Sequence, residues 1–209
     1  MRMMLPLIAV AAMTSGCVIV VDGDDDDDYD SFRMSLSTGP VDVAQTVELD
    51  GFDKIDASAG TRVSVVAGDR PTIGLDDRAM ERTEFSVRGD TLKITCKKPC
   101  RGSGSRGEVE VTAVRLNGIE VSSGAAVEVE DNIPTDGGLA LSVSSGGKLD
   151  AEVMSVNAAT VSASSGGSVV LTVEDALTAS ASSGGRVRYY GNPTGMTVSE
   201  SSGGSIKRH

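Results

Sequence analysis

The sequence predicts an all-β fold, a parallel β-solenoid whose strands meet at Ser-Ser-Gly-Gly corners repeating about every 20 residues. Three observations predict it. Ser-Ser-Gly recurs at Ser122, Ser144, Ser164, Ser182 and Ser201, and a second Gly follows in the last four copies. The flanks of the copies largely alternate apolar and polar residues with the period of two that a half-buried strand requires. Aromatic residues make up 3% of the chain with no Trp, while Gly contributes 25 residues, so the core must be aliphatic and the turns tight.

Aligned on Ser-Ser-Gly, the columns before each corner read Ile119, Leu141, Val161, Ala179, Val198 and then Val121, Val143, Ala163, Ala181, Glu200. Polar residues separate them: Glu120, Ser142, Ser162, Ser180 and Ser199. After the corner, Val127, Leu149, Val169, Val187 and Ile206 form one apolar column; Val129, Ala151, Leu171, Tyr189 and Arg208 form the next. Each repeat thus supplies two short strands with apolar residues turned inward. Gly is required where the corner needs backbone angles that a Cβ forbids. One repeat cannot bury its own inner face, whereas copies stacked about 4.8 Å apart pair every strand with the next and merge the inner columns. The last copy turns polar at Glu200 and Arg208, as expected of a rung that ends the stack.

The elements preceding the repeats follow in order. Residues 1–16 have the form of a secretory signal: Arg2, an apolar stretch from Met3 to Met13, then small residues before Cys17. Small residues followed by Cys resemble the lipobox of bacterial lipoproteins, although Thr14 stands where that motif usually has Leu. The resemblance implies cleavage after Gly16 and lipidation, palmitate included, at Cys17, so that the protein's first partner is a membrane. An uncleaved anchor is the alternative, because Val18 to Val21 extend the apolar run to nearly the ~20 residues that span a bilayer. Val18 rather than Asp after the Cys is, by resemblance to enterobacterial lipoproteins, the pattern of outer-membrane attachment.

Residues 17–40 read as an acidic linker. Seven of the nine residues from Asp22 to Asp30 are aspartates, and their mutual repulsion extends the chain into a spacer. The run has the charge for Ca²⁺ but not the fixed ligand spacing of a specific site. Residues 41–209 then form the folded domain. A further rung in the same register lies at Ser58-Ala59-Gly60, preceded by Ile55 and Ala57 and followed by Val63 and Val65. Between residues 67 and 115 come strand-like runs at Thr72 to Leu75, Glu84 to Val87, Thr91 to Cys96 and Glu108 to Val114.

Gly51-Phe52-Asp53-Lys54-Ile55, Val63 to Asp69, Gly89 to Ile94 and the Ser-Ser-Gly rungs together resemble the auto-transporter adhesin head GIN-domain family, over roughly residues 41–209. The resemblance implies a β-solenoid or β-helix-like domain on an exported or lipid-anchored bacterial protein, with adhesion as the associated role. No catalytic motif is carried over.

The residues themselves bound the function. The net charge is -11, so nucleic acid is not an expected partner. The single His is His209, the last residue, which argues against a His base or a His-rich metal site; no cofactor or metal is expected. The domain is read as a non-catalytic envelope module for adhesion to envelope proteins or glycans. Two alternatives are kept. A polysaccharide-processing enzyme would need paired carboxylates, and Glu128 and Asp150 stand one rung apart in an outward column with Val170, Arg188 and Lys207. A hydroxyl ladder is offered by Thr160 with Ser162, Thr178 with Ser180, and Thr197 with Ser199; it resembles the Thr-x-Thr ladders of ice-binding β-helices, and ice or a glycan would be its ligand. With Cys17 assigned to lipid, Cys96 and Cys100 remain as a pair expected to oxidise outside the cytoplasm.

Overall fold

A computed structural model describes residues 43–97 and 107–209. The signal, Cys17, the aspartate run and Cys100 lie outside the described residues.

In chain order the elements are β1 (Gln45–Glu48), β2 (Lys54–Ala57), β3 (Arg62–Ala67), β4 (Thr72–Leu75), α1 (Asp77–Arg82), β5 (Thr83–Arg88), β6 (Thr91–Cys96), β7 (Val109–Ala113) and β8 (Gly118–Val121). They continue as β9 (Ala126–Val129), β10 (Leu139–Val143), β11 (Lys148–Ala163), β12 (Ser168–Ala181), β13 (Arg186–Tyr190), β14 (Gly195–Glu200) and β15 (Ser205–Arg208). The fold is all-β, a single mixed 15-stranded sheet that curls on itself. The curl is carried by the two longest strands. The first part of β11 pairs with β9 and its last part with β10, and β12 likewise continues from β13 to β14. Register shifts in the β11/β12 pair between Ala151 and Ala158 mark the bend; Met154, Val156 and Val173 fill its inner side.

The curl creates two facing layers. One runs β5, β6, β2, β8, β10, the end of β11, the end of β12, β14; the other runs β1, β4, β7, β3, β9, the start of β11, the start of β12, β13, β15. From β6 and β7 onward every pairing is parallel and in the register of the aligned repeats, for example Leu141 with Val161 and Val161 with Ala179. The inner column is buried through four of its five rungs: Val127, Leu149, Val169 and Val187 are at most 2% exposed, and Ile206 in the end rung is only partly buried against the same core, while Ser142, Ser162, Ser180 and Ser199 are exposed. Each buried Val or Leu contributes about 1.5–3 kcal/mol by leaving water.

The corners explain the four-residue motif position by position. In Ser144-Ser145-Gly146-Gly147 the amide of Gly147 donates to the carbonyl of Ser144 at 2.8 Å, and Ser145 and Gly146 have φ of 51° and 72°, the positive pair that defines a type I′ turn. Successive corners are tied together, with Gly146 N donating to Ser165 O and Gly166 N to Ser183 O, both at 3.1 Å. The second Gly has a different reason from the first. A Cβ at Gly167 would sit 2.5 Å from the carbonyl oxygen of Val143 in the preceding rung, and one at Gly185 2.2 Å from that of Ala163. The first Gly permits the angle and the second permits the approach.

Two expectations are corrected, and one interval is placed. The sheet is mixed rather than wholly parallel, because β5 joins β6, β4 joins β7 and β1 joins β4 antiparallel; β5 and β4 cover the outer edges of β6 and β7, and the tight turn between β5 and β6 allows only an antiparallel return. The interval 67–115, read from the sequence as strands of the same domain, takes a definite place in the stack. β2 pairs directly with both β6 and β8, and β3 with both β7 and β9, so the interval supplies a rung beneath the first one. It also contains α1, whose N-cap Asp76 accepts from Ala79 N at 2.6 Å. Finally, two apolar residues exchange environments. Val170, expected outward, is 2% exposed, and Val198, expected inward, is 51% exposed. Val198 lies on β14, which among the described residues pairs only with β12, so no further described rung covers it. Here the carboxylate of Glu200 folds back to accept from the amide of Ile206, giving the last rung a polar closure.

Candidate functional site

The outer surface of the first layer is regular. Its strands are in register from β6 to β14, so outward residues fall into two straight rows. One row is Thr91, Lys54, Gly118, Ala140, Thr160, Thr178, Thr197; the other is Lys93, Asp56, Glu120, Ser142, Ser162, Ser180, Ser199. Neighbours along a row are about 4.8 Å apart and the two rows are separated by roughly 6.6 Å along each strand. The six residues expected to form a hydroxyl ladder are all exposed and in direct register, Thr160 with Thr178 with Thr197 and Ser162 with Ser180 with Ser199. Ser180 Oγ donates to Ser162 Oγ at 3.4 Å.

The ladder is one half of a longer surface. Toward β6 the hydroxyls give way to charge. Lys54 Nζ lies 2.7 Å from Asp90 Oδ2, and Lys93 Nζ 3.1 Å from Asp56 Oδ2. The hydrogen bond and charge of Asp90 raise the Lys54 pKa, and the bonds from Lys54 and Thr91 lower that of Asp90. Between charge and hydroxyls lies a groove of about 380 Å³, bordered by Lys54, Asp56, Glu120, Ser142, Thr160 and Ser162 and floored by Gly118 and Ala140. The groove exists because the row that carries Lys or Thr elsewhere carries no outward reach at two consecutive rungs. Sequence reasoning placed Glu120 in the serine column but did not extend the outward rows to Lys54 and Asp56. The signal was present, since the Ser58-Ala59-Gly60 rung aligns in the same register.

The second layer carries the carboxylate pair. Asp150 is the register partner of Glu128. Glu128 is half-buried, its Oε2 shut from solvent without a hydrogen-bond donor. Desolvation, then the charges of Asp150 and Glu130, push its pKa above the ordinary 4.5. Ser64 Oγ donates to Glu130 Oε1 at 2.5 Å. Beyond Asp150 the column continues through buried Val170 to Arg188 and Lys207. Among the described residues, no group of three or more His, Cys, Asp or Glu is placed to hold a metal ion.

The raised pKa sets a sign. A carboxyl that holds its proton more tightly when folded favours the folded state below its unfolded pKa, and that advantage is lost as pH rises through the folded value. Near neutral pH the Glu128 charge therefore opposes folding. Glu128→Gln is expected to raise the unfolding midpoint at pH 7 and to lose that advantage below about pH 4, where Glu is itself neutral; thermal melts across this range check it.

Cys96 ends β6 and is 2% exposed. No described helix is long and apolar enough to cross a membrane.

The fold is thus a curled, mixed all-β sheet with an even outer face. The chain matches the family described as putative auto-transporter adhesin, head GIN domain, over residues 51–138 and 137–193, and it belongs to that family. Among solved structures, a putative adhesin from Bacteroides fragilis NCTC 9343 is similar in fold, with a TM-score of 0.50 and 16% identity over 79% of this chain and 95% of that one. A putative lipid binding protein from Parabacteroides distasonis ATCC 8503 aligns over the same shares with a TM-score of 0.35 and 14% identity. A putative adhesin from Parabacteroides merdae ATCC 43184 does so at 0.31 and 11%. No curated protein matches the chain.

Proposed function

We propose that the protein is a non-catalytic, adhesin-like lipoprotein of the bacterial envelope that presents a β-solenoid face to a glycan or an envelope protein. The observation that carries this reading is the continuous outer face of the first layer, where two straight rows pass from paired charges through a groove to exposed hydroxyls. A surface with evenly spaced contacts suits an extended partner, since each added rung adds the same contact again. The family description supports the adhesin-like role. In this reading the signal is cut after Gly16, Cys17 is acylated in the outer membrane, and the aspartate run spaces the domain from the anionic surface.

Replacing both Ser162 and Ser180 by Lys is expected to abolish co-sedimentation with isolated envelope material while leaving the melting temperature nearly unchanged, because both side chains point to solvent. Retained binding would remove this face from the proposal. Glu128→Lys serves as the control on the other layer and should bind normally.

A second reading draws on the raised pKa of Glu128 beside Asp150, the setting of a carboxyl acid in polysaccharide cleavage. Turnover of a polysaccharide that disappears in Glu128→Gln would establish it.

Burial of Cys96 at a strand end fits a bridge to Cys100 that fixes the turn rather than adding much chain-entropy stabilisation, because the loop is so short. Labelling of the denatured, unreduced mature protein is expected to find neither of these two thiols; two reactive thiols would exclude the bridge.

A further inference from the structure

We infer that the groove floored by Gly118 and Ala140 binds a β-linked glycan bearing free amino groups, its chain crossing the strands with about one sugar ring per rung. This deepens the proposed function and rests on its assignment of the first-layer face. The shape comes first. Gly118 and Ala140 are register neighbours, so the two missing side chains open a depression one side chain deep, walled at its ends by Lys54 and Thr160. A Cβ on Gly118 would lie 3.2 Å from Lys54 Cγ, so the lysine stem closes that end against the floor. The rung spacing of about 4.8 Å is close to the length of one pyranose unit. A ring could rest its C–H face on the methyl and backbone floor while its edges reach the rim.

The chemistry of the rim selects among glycans. Ser142, Ser162 and Thr160 provide hydroxyls that both donate and accept. The two ammonium groups are already matched by carboxylates, Lys54 by Asp90 and Lys93 by Asp56. Glu120 forms no ion pair among the described residues, is exposed, and borders the groove. The site therefore carries one uncompensated negative charge beside hydroxyls and an apolar floor. A hydroxylated ligand with a cationic edge complements all three, and an ammonium–carboxylate hydrogen bond is stronger than a neutral one. A uronate chain would meet Glu120 as a like charge.

The test uses the full chain in detergent and calorimetric titration with four probes: chitosan tetrasaccharide, cellotetraose, tetragalacturonate and tetralysine. Chitosan tetrasaccharide is expected to bind about tenfold more tightly than cellotetraose, the factor for one charge-assisted bond, and tetragalacturonate not to bind. Glu120→Gln should remove that tenfold preference, so that the two sugars bind alike. Ala140→Leu, a substitution at an exposed position, should fill the groove and weaken both sugars without changing the melting temperature. Equal binding of cellotetraose, full binding by Ala140→Leu, or tetralysine binding as tightly as chitosan tetrasaccharide would each overturn the inference, the last in favour of a basic peptide. If chitosan tetrasaccharide does not bind but envelope material still does, in a manner lost on replacing Ser162 and Ser180 by Lys, this inference falls and the broader function stands. If neither binds, both fall.

Discussion

Gly185→Val is expected to leave the domain largely unfolded under conditions in which the parent protein is stable. The cause is a backbone collision rather than a lost contact. The position where a Cβ would be placed lies 2.2 Å from the carbonyl oxygen and 2.5 Å from the carbonyl carbon of Ala163, and neither atom can swing aside as a flexible side chain would. Relief requires the corner to lift off the rung below, which would break the bonds from Ser182 N to Ala163 O and from Arg186 N to Gly167 O. We expect a loss on the order of 4 kcal/mol or more, in the range reserved for strain and broken buried networks. Gly166→Ala provides the internal comparison. Gly166 has φ of 74° and no atom within 4 Å of where a Cβ would sit, so alanine there meets only the left-handed backbone penalty of roughly 1–2 kcal/mol. Urea unfolding of both variants, followed by circular dichroism, separates the two roles. Equal losses would show that the second Gly of the corner is not there for close approach.

Leu149→Ala should cost about 2–5 kcal/mol, the range for deleting a buried leucine side chain. Leu149 has no exposed surface and is held between Val127 and Val169 in neighbouring rungs. Because rungs above and below fix the strand spacing, the site cannot collapse to fill the cavity, which places the effect toward the upper end. Val198→Ala, on the uncovered rung, is the matched surface case and should cost well under 1 kcal/mol. A small effect at Leu149 would mean that the inner column is not the shared interior.

These predictions rest on columns that were readable from residue order alone. The period near 20, the inward Val and Leu positions, the outward serines and the corner itself are all local consequences of strand alternation and turn chemistry. Leu141, Val161 and Ala179 occupy equivalent places in the repeat, each with a rung on either side, and all three are buried. The same logic put Thr160, Thr178 and Thr197 into one row, because a parallel register keeps equal positions opposite each other.

Departures from the repeat were not readable in this way. Residues 67–115 have no Ser-Ser-Gly to fix their register, so only the tertiary structure showed that β6 and β7 form a rung beneath β2 and β3 and that β1, β4 and β5 close that end antiparallel. Val170 and Val198 make the point residue by residue: alternation assigns a side of the strand, but burial depends on what covers that side. The groove is of the same kind. Gly118 and Ala140 are unremarkable as single residues and become a site when the register sets them side by side between Lys54 and Thr160. By itself the sequence determined what repeats, because repetition is written in local pattern and identical rungs must stack alike. Tertiary structure alone decided where the repeat is covered, bent or left open, since those depend on contacts between residues far apart in the chain.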